Sequence, residues 1–440
     1  MAIIIIIANW NTKTNLLVIL SHLLFLKNIL LISLSAFGGP QGHLLSITKY
    51  LVEKNKFLTK AELLNYYSFC SFLPGATSTQ LICLIAFRMG GLKLVVPSLL
   101  IWISPACLIM LSLSLLLINH DLIDTAEDIF LFFKPMVVSF MIYASFMAKT
   151  VYYKQRSDLL PIILNVIIII TFFKHPFIIP ILFIINALYS HNHHSGHFYG
   201  TFRKFIQRFS FDRRFLLLYL LLFTTFGVLS EYSRKFETAN RYYFNIIEHN
   251  FRFGSVVYGG GDVLIPLIYE QYISRPTAKV TQRRNPDVLQ LKKDELMTGA
   301  GIIRLIPGPV FSLTSFTSPY LLKDFDTNKK IIGSILASLA IFTPGILILL
   351  ILVPFWNTLF QNKTFANLVS GINITVFSIM LASSIYLFVD LIYVEQHSFA
   401  DAFVNLLLVL IILYLLKTQM LNHAYISLIC LVLGLTYHFL

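Results

Sequence analysis

The chain reads as an all-α polytopic membrane protein built from two homologous halves with broken helices. Three observations predict this. Hydrophobic residues make up 57% of the 440 residues and charged residues only 12%, about half the charge of a soluble domain. The apolar residues gather into stretches of helical length, with no period-two alternation of a barrel strand. A short pattern of helix-breaking residues occurs twice.

The apolar stretches of the first half are 16–47, 63–87, 92–118, 129–148, 159–173 and 176–189. Those of the second half are 215–230, 244–269, 296–322, 331–353, 365–389, 400–416 and 424–440. They give about 12 transmembrane helices of roughly 20 residues each. The expected organisation is a first repeat over 1–189, a His/basic linker over 190–214 and a second repeat over 215–440. Residues 2–8 are apolar but too short to span, and no clear cleavage site follows, so the first helix reads as uncleaved. The net charge of +13 does not mark a nucleic-acid binder. Lys and Arg sit in short loops between apolar runs, as in membrane proteins.

Phe37-Gly38-Gly39-Pro40 is followed by LTKAEL at 58–63 and by Pro74-Gly75. Tyr258-Gly259-Gly260-Gly261 is followed by LKKDEL at 291–296 and by Pro307-Gly308-Pro309. The Gly-rich elements are 221 residues apart and the Pro-Gly elements 233, which places an insertion in the polar loop around 277–288. Phe342-Thr343-Pro344-Gly345 also echoes Ile103-Ser104-Pro105-Ala106. A duplicated ancestral half explains this register. The acid-only segments 121–128 and 390–401 both look external, which favours inverted repeats. The basic loops after both Gly-rich elements point the other way, and the helix at 215–230 has no counterpart in the first half.

Proline removes an N–H and glycine permits positive φ, so each pattern breaks a helix inside an apolar segment. Freed backbone groups in a membrane survive only inside protein or beside a water-filled cavity. The exposed half-helix N-termini then offer N–H donors and partial positive charge to an anion. Paired interruptions at matching places are the mark of a secondary transporter's binding site; the bland alternative is a set of packing kinks. Thr77, Ser78, Thr79 and Gln80 follow the first break as neutral donors. His43 reads as a proton carrier, an anion ligand or an interfacial cap. Asp262 reads as a proton-carrying group or a helix cap. Arg304 lies mid-segment, where a charge needs a partner, ligand or water, either an oxyanion or a carboxylate such as Glu295 or Asp262. Glu62 and Glu295 recur in helix starts and read as first-turn acids on a helix dipole. The four cysteines and the histidines at 191–197 fit no metal-site spacing, and no cofactor is indicated.

FGGPQGH, LPGATSTQ, YGGGDVLIP, LIPGPVF and the Ser/Thr-Pro elements that follow resemble the chromate ion transporter family, in its long two-domain form. The resemblance implies a carrier, not an enzyme, that moves an inorganic oxyanion such as chromate across a lipid bilayer. It further implies sulfate as a competitor and protons as the driving ion for export. The substrate-binding residues it implies are Phe37, Gly38, Gly39, Pro40, Pro74, Gly75, Tyr258, Gly259, Gly260, Gly261, Pro307, Gly308 and Pro309. To these the residue chemistry adds His43, Thr77, Gln80, Asp262 and Arg304. Three positions depart from the family pattern: Ala76 for the last proline of the first Pro-Gly-Pro, Tyr258 for a phenylalanine, and Arg304 for a neutral polar residue. The plasma or bacterial inner membrane is the default location, with a eukaryotic organelle membrane as the alternative. A carrier or channel for another anion shares every motif. The string Gly259–Asp262 also satisfies the G-x-G-D of an intramembrane aspartyl protease, but no second aspartate motif accompanies it.

Overall fold

The computed structural model describes residues 2–36, 39–71, 73–119, 129–152, 158–171, 178–195, 213–257, 261–276, 288–355, 363–394, 399–418, 420–421 and 423–439. Among these there are seventeen α-helices, joined by short 3-10 and π turns, and no strand. The first half contains α1 (Ala2–Ser35), α2 (Gly39–Ile47), α3 (Lys60–Ser71), α4 (Thr77–Gly90), α5 (Leu92–Asn119), α6 (Phe133–Tyr152), α7 (Leu159–Thr171) and α8 (Ile178–Ser195). Helix α9 (Arg213–Lys235) stands between the halves in sequence. The second half contains α10 (Arg241–Val256), α11 (Leu264–Tyr269), α12 (Lys293–Ile302), α13 (Leu313–Leu321), α14 (Thr327–Leu352), α15 (Lys363–Val389), α16 (Phe399–Lys417) and α17 (His423–His438).

The repeat maps helix onto helix, α1–α8 onto α10–α17. Even the π turns recur, Thr48–Lys54 after α2 and Glu270–Ser274 after α11. The predicted breaks fall between α1 and α2, α3 and α4, α10 and α11, and α12 and α13. Counting each broken pair as one segment leaves thirteen, close to the dozen read from hydropathy. Of these, α5, α9 and α14 are each long and apolar enough to cross a membrane. Helix α9 is the unpaired one. It lies on the outside of the bundle against α10 and α14 and presents Leu217, Leu221 and Val228 outward.

Both LxKxEL segments become helix starts. The Glu62 carboxylate accepts from Thr59 N–H at 2.8 Å while Thr59 Oγ1 accepts from Glu62 N–H at 3.2 Å, a reciprocal cap. Glu295 accepts from Lys292 N–H at 2.7 Å and pairs with Lys323 at 3.7 Å. The helix-start reading of both acids holds. Glu295 is buried and Glu62 is not. Glu295→Ala is therefore expected to lower the melting temperature measurably, and Glu62→Ala much less. Equal losses in a thermal-shift assay would contradict this.

The halves are interlocked. Helices α5 and α13 pack together, as do their counterparts α14 and α4. Helices α7 and α8 lie on α15 of the other half, and α16 and α17 lie on α6. At the centre α6 meets α15. Ser145 and its own counterpart Ser384, 239 residues later, join hydroxyls at 3.0 Å. Each hydroxyl also lies within hydrogen-bond distance of the carbonyl four residues back, Met141 and Met380, so one serine donates to its copy and the other to its own helix. A residue touching its own copy marks the pseudo-two-fold axis.

The same pair of helices gives the relative orientation. Lys134, at the start of α6, pairs with Asp294. Asp390, just past the end of α15, pairs with the neighbouring Lys293. The beginning of one helix and the end of its counterpart therefore lie at one face, and α6 and α15 run antiparallel. Connections agree: on α15, Gly371 faces Asn186 of α8 while Thr375 reaches back to Leu182, so α8 opposes α15. The repeats are inverted. The segment 291–296 lies at the same face as Asp390, so the two basic loops that argued for parallel halves lie at opposite faces.

Without a hydrophobic force between helices in lipid, close packing and small polar residues hold such a bundle. Ser139, Ser145, Ser334, Ser338, Ser378 and Ser384 are all buried. Each has a helix carbonyl within hydrogen-bond distance of its hydroxyl, which lets backbones approach without orphaned donors.

Candidate functional site

The two Pro-Gly breaks cross over. Gly75, in the first half, donates its N–H to the Val257 carbonyl at 2.7 Å. Gly308, in the second, donates to the Ala36 carbonyl at 3.1 Å. Val257 and Ala36 are counterparts, each the residue before its half's Gly-rich element. Each break is thus tied to the opposite half's other break. Both glycines adopt the same left-handed backbone, φ +121° and +123°, which side chains rarely tolerate. Their neighbours are counterparts as well. A Cβ on Gly75 would lie 3.0 Å from Gly345 Cα, and one on Gly308 would lie 2.7 Å from Ala106 Cβ. Gly345 and Ala106 each follow the proline inside α14 and α5, Pro344 and Pro105.

Helix α4 opens at the first break. Its N-cap Ala76 supplies no side-chain acceptor, so the N–H groups of its first turn keep no capping partner from that residue. Thr77, Ser78, Thr79 and Gln80 are all buried there. Gln80 folds back so that Nε2 donates to the carbonyls of Pro74 at 2.8 Å and Gly345 at 2.9 Å. Those two acceptors fix the amide's orientation and leave Oε1 as a buried acceptor with no protein donor.

His43, on α2, is 2% exposed. Its Nδ1 shares a hydrogen bond with Ser78 Oγ at 2.8 Å. Its ring meets Trp102 edge-on at 5.2 Å, and Trp102 Nε1 donates to Thr79 Oγ1 at 3.0 Å. The Gly308 backbone lies near the ring, yet Nε2 satisfies no hydrogen-bond geometry. His43 therefore stands between the first turn of α4 and the glycine of the second break. Trp102 is the member that sequence reasoning missed; its signal was an N–H-bearing ring within α5, three residues ahead of Pro105.

Pro74, Gly75, Pro307, Gly308 and Pro309 are in the breaks as described. Gly39 and Pro40 open α2, where proline costs no helix bond. Gly261 and Asp262 form the 3-10 turn before α11, and Val310 packs against Gly261. Phe37, Gly38, Tyr258, Gly259 and Gly260 lie outside the described residues. Arg304, half-buried in the turn after α12, places its guanidinium over the Phe140 ring of α6 at 5.5 Å. Of the histidines at 191–197, three lie in the last turns of α8 and His197 is outside the described residues.

Inverted halves, interrupted helices and a buried polar centre where the interruptions cross define an integral membrane transporter. Residues 23–190 and 244–435 each match the family described as Chromate transporter, and the chain belongs to that family. The two matched regions leave out α9, the helix without a counterpart. The chain is also similar to an uncharacterized transporter of Methanocaldococcus jannaschii, 20% identical over 415 residues, 94% of each chain. No solved structure matches.

Proposed function

We propose that this protein carries a tetrahedral inorganic oxyanion, chromate with sulfate as competitor, between the two faces of the membrane, and that protons drive its export. The observation that carries this reading is the crossed pair of breaks, with an uncapped helix start and a buried, half-satisfied histidine between them. Helix N-termini aimed at a cavity favour anions. In a dry site such donors act more strongly than in water. His43 is the group proposed to carry the proton, because it is the ionisable side chain set between the two breaks and its Nε2 meets no protein hydrogen-bond partner. The described residues of the two breaks lie where the inverted halves meet, so a rocking of one half against the other would open the site to each face in turn.

Purified protein in liposomes is expected to take up labelled chromate or sulfate, with the uptake changed by an imposed pH gradient. Accumulation above the outside concentration separates a carrier from a passive channel. Folded protein that moves no divalent oxyanion would overturn the proposal.

A further inference from the structure

The backbone of the two breaks is symmetric, but their side chains are not. His43 has Leu264 as its counterpart, Ser78 has Phe311, Gln80 has Leu313 and Trp102 has Ile341. Only Thr79 keeps a hydroxyl, as Ser312, whose Oγ accepts from the Cys107 thiol at 3.4 Å. All four apolar counterparts are buried at 1% exposure or less. The helix start also differs: α4 begins directly at Thr77, whereas α13 is preceded by the 3-10 turn Val310–Ser312.

We propose that the two breaks have divided the work: the first supplies the hydrogen-bonding side chains of a single oxyanion site per chain, and their counterparts in the second only pack and hold it in place, with Arg304 as the charged group the second half adds. This deepens the transport reading and rests on it. A helix start alone would not choose between the breaks, because both have one. The choice comes from two buried polar atoms at the first break that the protein leaves without partners, His43 Nε2 and Gln80 Oε1. Leaving such groups empty is costly, so they point to a ligand. With Nδ1 accepting from the Ser78 hydroxyl, Nε2 carries the hydrogen and donates. Gln80 Oε1 supplies an acceptor for a proton held by the anion or by its accompanying water. Leu264, Phe311 and Leu313 supply neither. They fill the equivalent space, while Gly308, through Ala36, holds the chain leading into α2 and so the position of His43.

The test is equilibrium binding of labelled chromate and labelled sulfate to the purified full-length protein, with melting temperatures taken alongside. One anion per chain is expected. His43→Leu, which gives the first half the second half's residue, should weaken binding about tenfold or more, the loss of one strong hydrogen bond. Ser78→Ala frees the histidine tautomer and should weaken binding by a similar factor, and it guards against a His43 variant that fails to fold. Leu264→Met and Leu313→Met conserve volume and should leave affinity within about twofold. Two anions per chain, or equal losses from the second-half variants, would overturn the division while leaving the transport reading standing. Ser78→Ala and His43→Leu that fold and bind as the wild type would do the same. A wild type that binds neither anion would overturn the oxyanion reading and this inference together.

Discussion

Gly308→Ala is expected to abolish transport and lower the melting temperature by several degrees, with Gly75→Ala close behind. Two costs act together. At φ +123° and +121° a side chain strains the backbone, by about 1–3 kcal/mol. The new Cβ on Gly308 also meets Ala106 Cβ at 2.7 Å, an overpacking that costs about 1–3 kcal/mol more. Relief requires α5 to move away from the break, which pulls on the Gly308–Ala36 hydrogen bond between the halves. Gly91 is the control. Its φ is +61°, but nothing lies within 4 Å of an added Cβ, so Gly91→Ala should show the strain alone and keep transport. Ala106→Gly added to Gly308→Ala should recover stability in part, since it removes the clash but not the strain. Uptake into liposomes and thermal melting read both effects. Full transport by Gly308→Ala would show that the crossed breaks need no close approach.

Arg304→Gln is expected to raise the half-saturation concentration for the oxyanion about tenfold while the protein still folds. Arg304 is the only arginine placed inside a repeat motif, and its first-half counterpart is Ser71. It sits three residues ahead of Pro307 and stacks on Phe140 of the other half. A guanidinium offers a planar fork that matches an oxyanion, so Arg304→Lys should weaken binding too. The competing role is neutralisation of a carboxylate such as Asp262. In that case Arg304→Gln loses melting temperature instead, because a buried charge is left alone, and removal of the carboxylate rescues it. An unchanged half-saturation concentration with lowered stability would reject the anion-binding role.

The two halves, the breaks and the helix caps were legible in the sequence because each rests on local chemistry. Proline and glycine break helices wherever they stand, and Glu62 and Glu295 cap the helix they begin. The unpaired status of α9 was legible from the repeat offset alone. Orientation was harder. Basic loops at 49–60 and 292–293 looked alike, but charge in a loop does not say which counterpart it packs beside. Lys134–Asp294 and Lys293–Asp390 decided it, and both are contacts across the fold. The crossing of the breaks was illegible for the same reason. Nothing near Gly75 in sequence announces Val257, and nothing near His43 announces Trp102 or Gly308. Spacing within each half is local information; the seam between them is not.

The exchange of helices across the seam has an evolutionary consequence. Helices α7 and α8 find their packing surface on α15, and α16 and α17 find theirs on α6. A protein made of one such half would leave both its peripheral helices and its Pro-Gly carbonyl partner unmet. It would be complete only beside a second copy threaded through the bilayer upside down. The geometry points back to a dimer whose two copies sat in the bilayer in opposite senses. Fusion fixed the two insertions in a single chain, and an added helix such as α9 supplies the odd crossing that turns the second half over. Once the copies were joined, each was free to change alone.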